Sequence, residues 1–177
     1  MMGFRIWQYR MDLWKLIFRT ILNRSKFKDR VVEDSTFYHF SIIEDNEIFA
    51  LYILASTRKG SIKHNIERLF KSIPSNLKIG NHEIKLLTII TVIDNRLYEE
   101  LRLKFFNKLL LFKYNQLKMA IRWLNLMDNE TLGKLSLVYR FYTDEKFRHR
   151  CISLGITEGK IKDLIDEVIE EIFLGAK

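Results

Sequence analysis

The sequence is poor in chain breakers. It holds one proline, Pro74, and seven glycines among 177 residues, so long helices and short connections are expected. Cysteine is almost absent. Cys151 alone cannot form an internal disulfide, which fits a reducing compartment. One cysteine and four scattered histidines offer no zinc-ligand spacing. There is no Gly-rich phosphate loop. Charges interrupt every apolar stretch, so no run has the length of a membrane-spanning helix. The N-terminus lacks the compact apolar segment and small-residue cleavage site of a secretory signal. A cytoplasmic protein is expected, with no cofactor, no metal site and no assigned catalytic residue.

What is present is apolar and basic. Hydrophobic residues make up 47% and aromatics 13%, enough for a real core and against disorder. The net charge is +8, and residues 1–30 hold most of it: Arg5, Arg10, Lys15, Arg19, Arg24, Lys26, Lys28 and Arg30 oppose only Asp12 and Asp29. Such a segment can face nucleic acid, an anionic membrane or an acidic partner. Within it Trp7, Met11, Trp14, Phe18 and Ile21 recur at helical spacing over residues 4–24. Docking of this stripe on the protein's own core is expected ahead of insertion into a lipid surface. "NRSKFKDR" (23–30) reads as a charged linker.

Strand signals follow. "TFYHFSII" (36–43) and "EIFALYILA" (47–55) flank "EDN" and predict a hairpin. The second run is apolar on both faces, so a central, doubly covered strand is expected. A helix from the N-cap Ser61 carries Ile62, Ile66, Leu69, Phe70 and Ile73 on one stripe and stops at Pro74. "LKIGNHEIKLLTIITVI" (77–93) gives a short strand, a Gly80-Asn81 turn and a long strand. The expected plan is α+β: a small antiparallel ββαββ sheet with a helix on one face. A long helix over residues 96–127 comes next, apolar over most of its girth, which could pair with a second copy. Three shorter helices are expected at 131–142, 144–153 and 157–173. The implied division is a basic arm (1–30), the sheet unit with its long helix (31–127) and a C-terminal helical module (128–177).

Two motifs could carry function. "HEIK" (82–85) would put Glu83 and Lys85 on one face of a strand. It resembles restriction-type nucleases in this Glu-x-Lys, which implies a Mg²⁺-binding Glu and a water-positioning Lys. An acidic partner from a neighbouring strand would be needed, with Asp45 or Glu47 as candidates. A solvated surface pair is the commoner meaning of so short a pattern.

The second motif is "KFRHRCISLGITEGKIKDLIDEVIEEI" (146–172). Gly155 suits a sharp helix end, Thr157 a helix N-cap, and Ile161, Leu164, Ile165, Val168 and Ile172 an apolar helix face. The segment resembles the helix-turn-helix superfamily, in the flavour of quorum-sensing and response-regulator domains and of sigma factors. That resemblance implies Cys151 at the close helix contact, Leu154 and Ile156 flanking the turn, and Ile161 packed inward. It also implies a DNA-binding, transcription-associated regulator without enzymatic activity, with Glu158, Gly159, Lys160 and Lys162 facing the groove. By the sign of their charge and their place at the corner, the residues expected at DNA are Arg148, Arg150, Thr157, Lys160 and Lys162. Arg150 stands where these families keep an apolar residue. The second helix is also acidic, with Glu158, Asp163, Asp166, Glu167, Glu170 and Glu171 against Lys160 and Lys162. DNA contact is therefore expected from its first turn only. The rest suits water or a basic surface such as the chain's own N-terminal segment. The alternative to a DNA-binding regulator is a structural or adaptor subunit of a protein assembly, which the basic N-terminal helix could hold at a membrane surface. The third reading is a Mg²⁺-dependent nuclease through the Glu-x-Lys strand.

Overall fold

A computed structural model describes residues 11–34, 37–55, 59–74, 76–111, 121–126 and 130–175. Trp7 and the start of the expected first helix lie outside the described residues, as does Thr36.

The two-strand centre of the fold follows from apolar runs that must be covered on both sides. β3 (Glu47–Ala55) and β5 (His82–Val92) pair in parallel from Glu47–Glu83 to Ala55–Val92. Leu51 and Ile53 of β3 point into one core cluster, Ala50 and Leu54 into the other. Burial on both faces is the ordinary state of parallel strands, because the crossover helices cover them.

On one side of β3 lies β2 (Phe40–Glu44), then the edge strand β1 (Val31–Glu33), both antiparallel. Asp45 and Asn46 join β2 to β3 with positive φ of 49° and 65°, the conformation of a two-residue hairpin turn that matches strand twist. Beyond β5, the short β4 (Lys78–Ile79) pairs antiparallel with its beginning and β6 (Ile121–Asn125) pairs parallel with its end.

Helices cover both faces. α2 (Lys59–Ser72) and α3 (Asn95–Leu111) pack on one side through Ile62, Ile66, Leu69, Ile73 and Leu101. The other side receives α1 (Met11–Leu22), α4 (Glu130–Thr143) and α6 (Glu158–Ile169) with the π turn Glu170–Leu174 that extends it. α5 (Glu145–Ser153) hangs between α4 and α6 and buries only Cys151.

The α+β class, the hairpin, the ββαββ order, the double cover of β3 and the three C-terminal helices agree with expectation. The antiparallel sheet does not. β4 is only two residues long and lies outboard, so the strand that returns against β3 after α2 is β5, running the same way. The single long helix over 96–127 is also corrected. α3 spans Asn95–Leu111, but Ile121–Asn125 form strand β6, and residues 112–120 lie outside the described residues. Pairing with the open edge of β5 overrides the helix-favouring composition there, as tertiary context commonly does. The surface on which two copies were expected to pair is thus not one continuous helix.

Two smaller corrections concern the flanks. α2 starts at Lys59, ahead of Ser61. The 23–30 segment is a compact turn rather than a linker: Ser25 Oγ donates to the Leu22 carbonyl at 2.8 Å and Phe27 is buried.

α1 docks as its stripe demands, with Trp14, Ile17, Phe18, Ile21 and Leu22 buried. Trp14 is wholly buried and meets Phe18 at 6.1 Å between ring centroids, and Phe18 meets Phe40 of β2 at 6.3 Å. Trp14→Ala should therefore destabilise the protein by roughly 3–5 kcal/mol, read from urea unfolding. A wild-type midpoint in that variant would show that the stripe is not core.

His39 supplies a pH-dependent contact. It precedes β2 and stacks on Tyr52 at 4.5 Å, while its Nδ1 accepts the Ile53 N–H at 2.9 Å. Burial, aided by Lys15 and opposed by Asp34, lowers its pKa from 6.5 to about 4. The fold thus holds the neutral ring, and protons bind the unfolded chain first. Stability is intact above pH 6.5 and falls as pH drops toward 4, by roughly 3 kcal/mol in all. His39→Gln, which keeps an acceptor but cannot titrate, should flatten that part of the stability–pH curve in thermal melts. An unchanged curve would remove His39 as its cause.

Candidate nucleic-acid interface

The corner between α5 and α6 is built from three local devices. Asp144 caps α5, its carboxylate accepting from the Phe147 N–H at 3.1 Å. That backbone bond, with Arg140 nearby, holds the Asp144 pKa below its ordinary value. α5 ends in a Schellman turn: Gly155 takes φ 85°, the Ile156 N–H bonds to the Cys151 carbonyl at 2.8 Å, and the Gly155 N–H bonds to that of Ile152 at 3.0 Å. Thr157 then caps α6, its hydroxyl accepting from the Lys160 N–H at 3.3 Å. Cys151 and Ile161 are buried, as the helix-turn-helix resemblance implies. Leu154, which precedes the turn glycine, is 77% exposed.

The five residues expected at DNA have different surroundings. Arg150 is exposed, while Arg148 is half-buried with its guanidinium 3.5 Å from the Phe141 carbonyl. Thr157 spends its hydroxyl on the cap. The Lys160 ammonium donates to the Gly155 carbonyl at 3.0 Å, where it offsets the negative end of α5. Lys162 stands 3.9 Å from Glu158. Among the described residues no carboxylate forms an ion pair with Arg148, Arg150, Lys160 or the nearby Lys146.

The N-terminal cations are placed quite differently. Lys15 pairs with Asp34 at 3.6 Å, Arg19 with Glu33 at 2.7 Å, Lys26 with Glu170, and Arg30 with Glu44. Arg24 covers the Tyr142 ring at 4.4 Å. The Lys26 backbone N–H also reaches the Asp166 carboxylate at 2.8 Å, and Glu170 raises the Lys26 pKa. These exposed pairs each contribute little to stability, because water and salt screen them. Their consequence is local charge: of the six described cations of the basic segment, Lys15, Arg19, Lys26 and Arg30 meet the chain's own carboxylates. The acidic half of α6 meets the N-terminal basic segment, as the charge pattern suggested, and Lys134 answers Glu167 at 3.4 Å.

Sequence reasoning did not foresee the cleft between the turn after α1 and the start of α6. It encloses about 420 Å³ and is lined by Asn23, Arg24, Ser25, Lys26, Lys28, Glu158, Lys162 and Asp166. The opposite charges of the two segments were the only signal for it.

The Glu-x-Lys candidate resolves into an ion-paired rung. Glu47 aligns with Glu83 across β3 and β5, and Lys85 sits at a register shift with its ammonium 3.8 Å from Glu47. Among the described residues no three His, Cys, Asp or Glu side chains come together to hold a metal ion. No described helix is long and apolar enough to cross a membrane. No protein-family model matches the chain, nor does any curated protein or solved structure.

Thr157→Ala removes the only side-chain cap of α6. It should cost about 1 kcal/mol in denaturant unfolding, and a smaller loss is expected from Thr157→Ser. Equal stability of all three proteins would show the cap to be idle.

Proposed function

We propose that the chain is a non-enzymatic DNA-binding, transcription-associated regulatory protein that meets duplex DNA with the corner between α5 and α6. The carrying observation is where the cations without carboxylate partners stand. Of the described N-terminal cations, Lys15, Arg19, Lys26 and Arg30 are paired within the chain, whereas Arg150 in the last turn of α5 and Lys160 in the first turn of α6 flank the corner without a carboxylate partner among the described residues. Backbone N–H groups at a helix start and cations beside them are a natural seat for phosphate. Arg148 and Lys162 contribute less, one half-buried and the other beside Glu158. The acidic remainder of α6 stays off the duplex, facing the N-terminal turn.

The test is binding of a fluorescent duplex across a salt series. Each phosphate contact adds about −0.9 to the slope of log affinity against log salt. Arg150→Glu with Lys160→Glu should weaken binding by roughly tenfold or more and make that slope shallower by about two. Lys15→Glu, reversing an internally paired cation, should leave the slope alone. Absence of salt-dependent binding in the wild-type protein would overturn the proposal.

A second reading is an adaptor subunit. In its favour is the open edge of β1, where Val32 is exposed and a partner strand could add. Its mark is a stoichiometric protein partner that survives native purification and is lost in Val32→Lys.

A further inference from the structure

Leu154 is the most exposed large apolar side chain among the described residues, and Ile152, two residues before it, is 50% exposed. Neither belongs to a loose loop. The Leu154 N–H bonds to the carbonyls of both Arg150 and Cys151 at 3.1 Å, and the Schellman turn fixes the backbone on either side. The corner therefore holds two apolar groups in water at a cost, close in the chain to Arg150 and Lys160.

A partner for this surface must be anionic and must offer apolar atoms on the scale of single groups. Two side chains are too few for a protein interface, which needs on the order of 1,000 Å². They are also too few for a stable hold on a membrane, which takes stronger or doubled anchors. The major groove of DNA fits both demands, because its one apolar group is the thymine C5-methyl, set among phosphates.

We infer that Leu154 and Ile152 are specificity-determining residues that contact thymine methyl groups in the major groove while Arg150 and Lys160 hold the flanking phosphates. This rests on the DNA reading above. It gives that reading a sequence preference, for thymine at the positions that face the turn.

The test compares alternating poly(dA-dT) duplex with the same polymer carrying uracil, which has equal charge and lacks the methyl. Binding of wild type, Leu154→Ala and Ile152→Ala is measured by competition against a fluorescent duplex at fixed salt. Wild type should prefer the thymine polymer by ~fourfold per methyl contacted. Leu154→Ala should lose most of that preference and keep its salt slope and melting temperature, since the side chain is exposed. Equal wild-type binding of the two polymers, or undiminished preference in both variants, overturns the inference and leaves the DNA reading standing. Binding of neither polymer at any salt overturns both. Anionic phosphatidylserine vesicles are the control. Co-sedimentation lost in Leu154→Ala, with thymine preference intact, would assign the corner to lipid and overturn the inference.

Discussion

The parallel pairing of β3 with β5 is the constraint on which the rest of the molecule depends. Both strands are apolar on each face, so neither can border water. Two helical layers are therefore obligatory. The connection through α2 supplies the first, and α3 extends it on the way to β6. The second cannot come from crossovers on the same side. It is assembled from the two ends of the described chain, α1 from one and α4 and α6 from the other. The hairpin at Asp45-Asn46 and the outboard β4 then finish the sheet without burying further charge.

This assembly sets the electrostatics. The segment carrying most of the positive charge is held against the helix carrying much of the negative charge, and four of its cations find carboxylates. A surplus that looks in the sequence like a long basic arm is spent mostly within the fold. Among the cations left outward are those of α5 and the first turn of α6. Three caps, Asp144, Gly155 and Thr157, shape that group. Each satisfies backbone groups that would otherwise be orphaned at a helix end.

Much of this was legible in the residues. Alternation and turn chemistry locate β2 and β3, because hairpin geometry is a local matter. The stripe Ile62, Ile66, Leu69 and Ile73 locates α2. Gly155 and Thr157 locate the end of α5 and the start of α6 almost to the residue. What was not legible is non-local. Ile121–Asn125 carry no alternation strong enough to break the helical period around them, and only the vacant edge of β5 makes them a strand. Strand direction likewise depends on which of β4 and β5 reaches β3, a matter of lengths rather than composition. At the corner, the motif placed Thr157, Cys151 and Ile161 well.

The contact of Lys26 with Asp166 joins residues 140 positions apart. Closing so long a loop is entropically costly and yields nothing until both ends are in place. During synthesis the apolar stripe of α1 emerges early and then waits, its sheet not yet complete and its helical neighbours not yet made. The core beneath α1 cannot close until α4 and α6 have been made. Until it does, Trp14, Phe18 and Ile21 are the surface that a chaperone would hold.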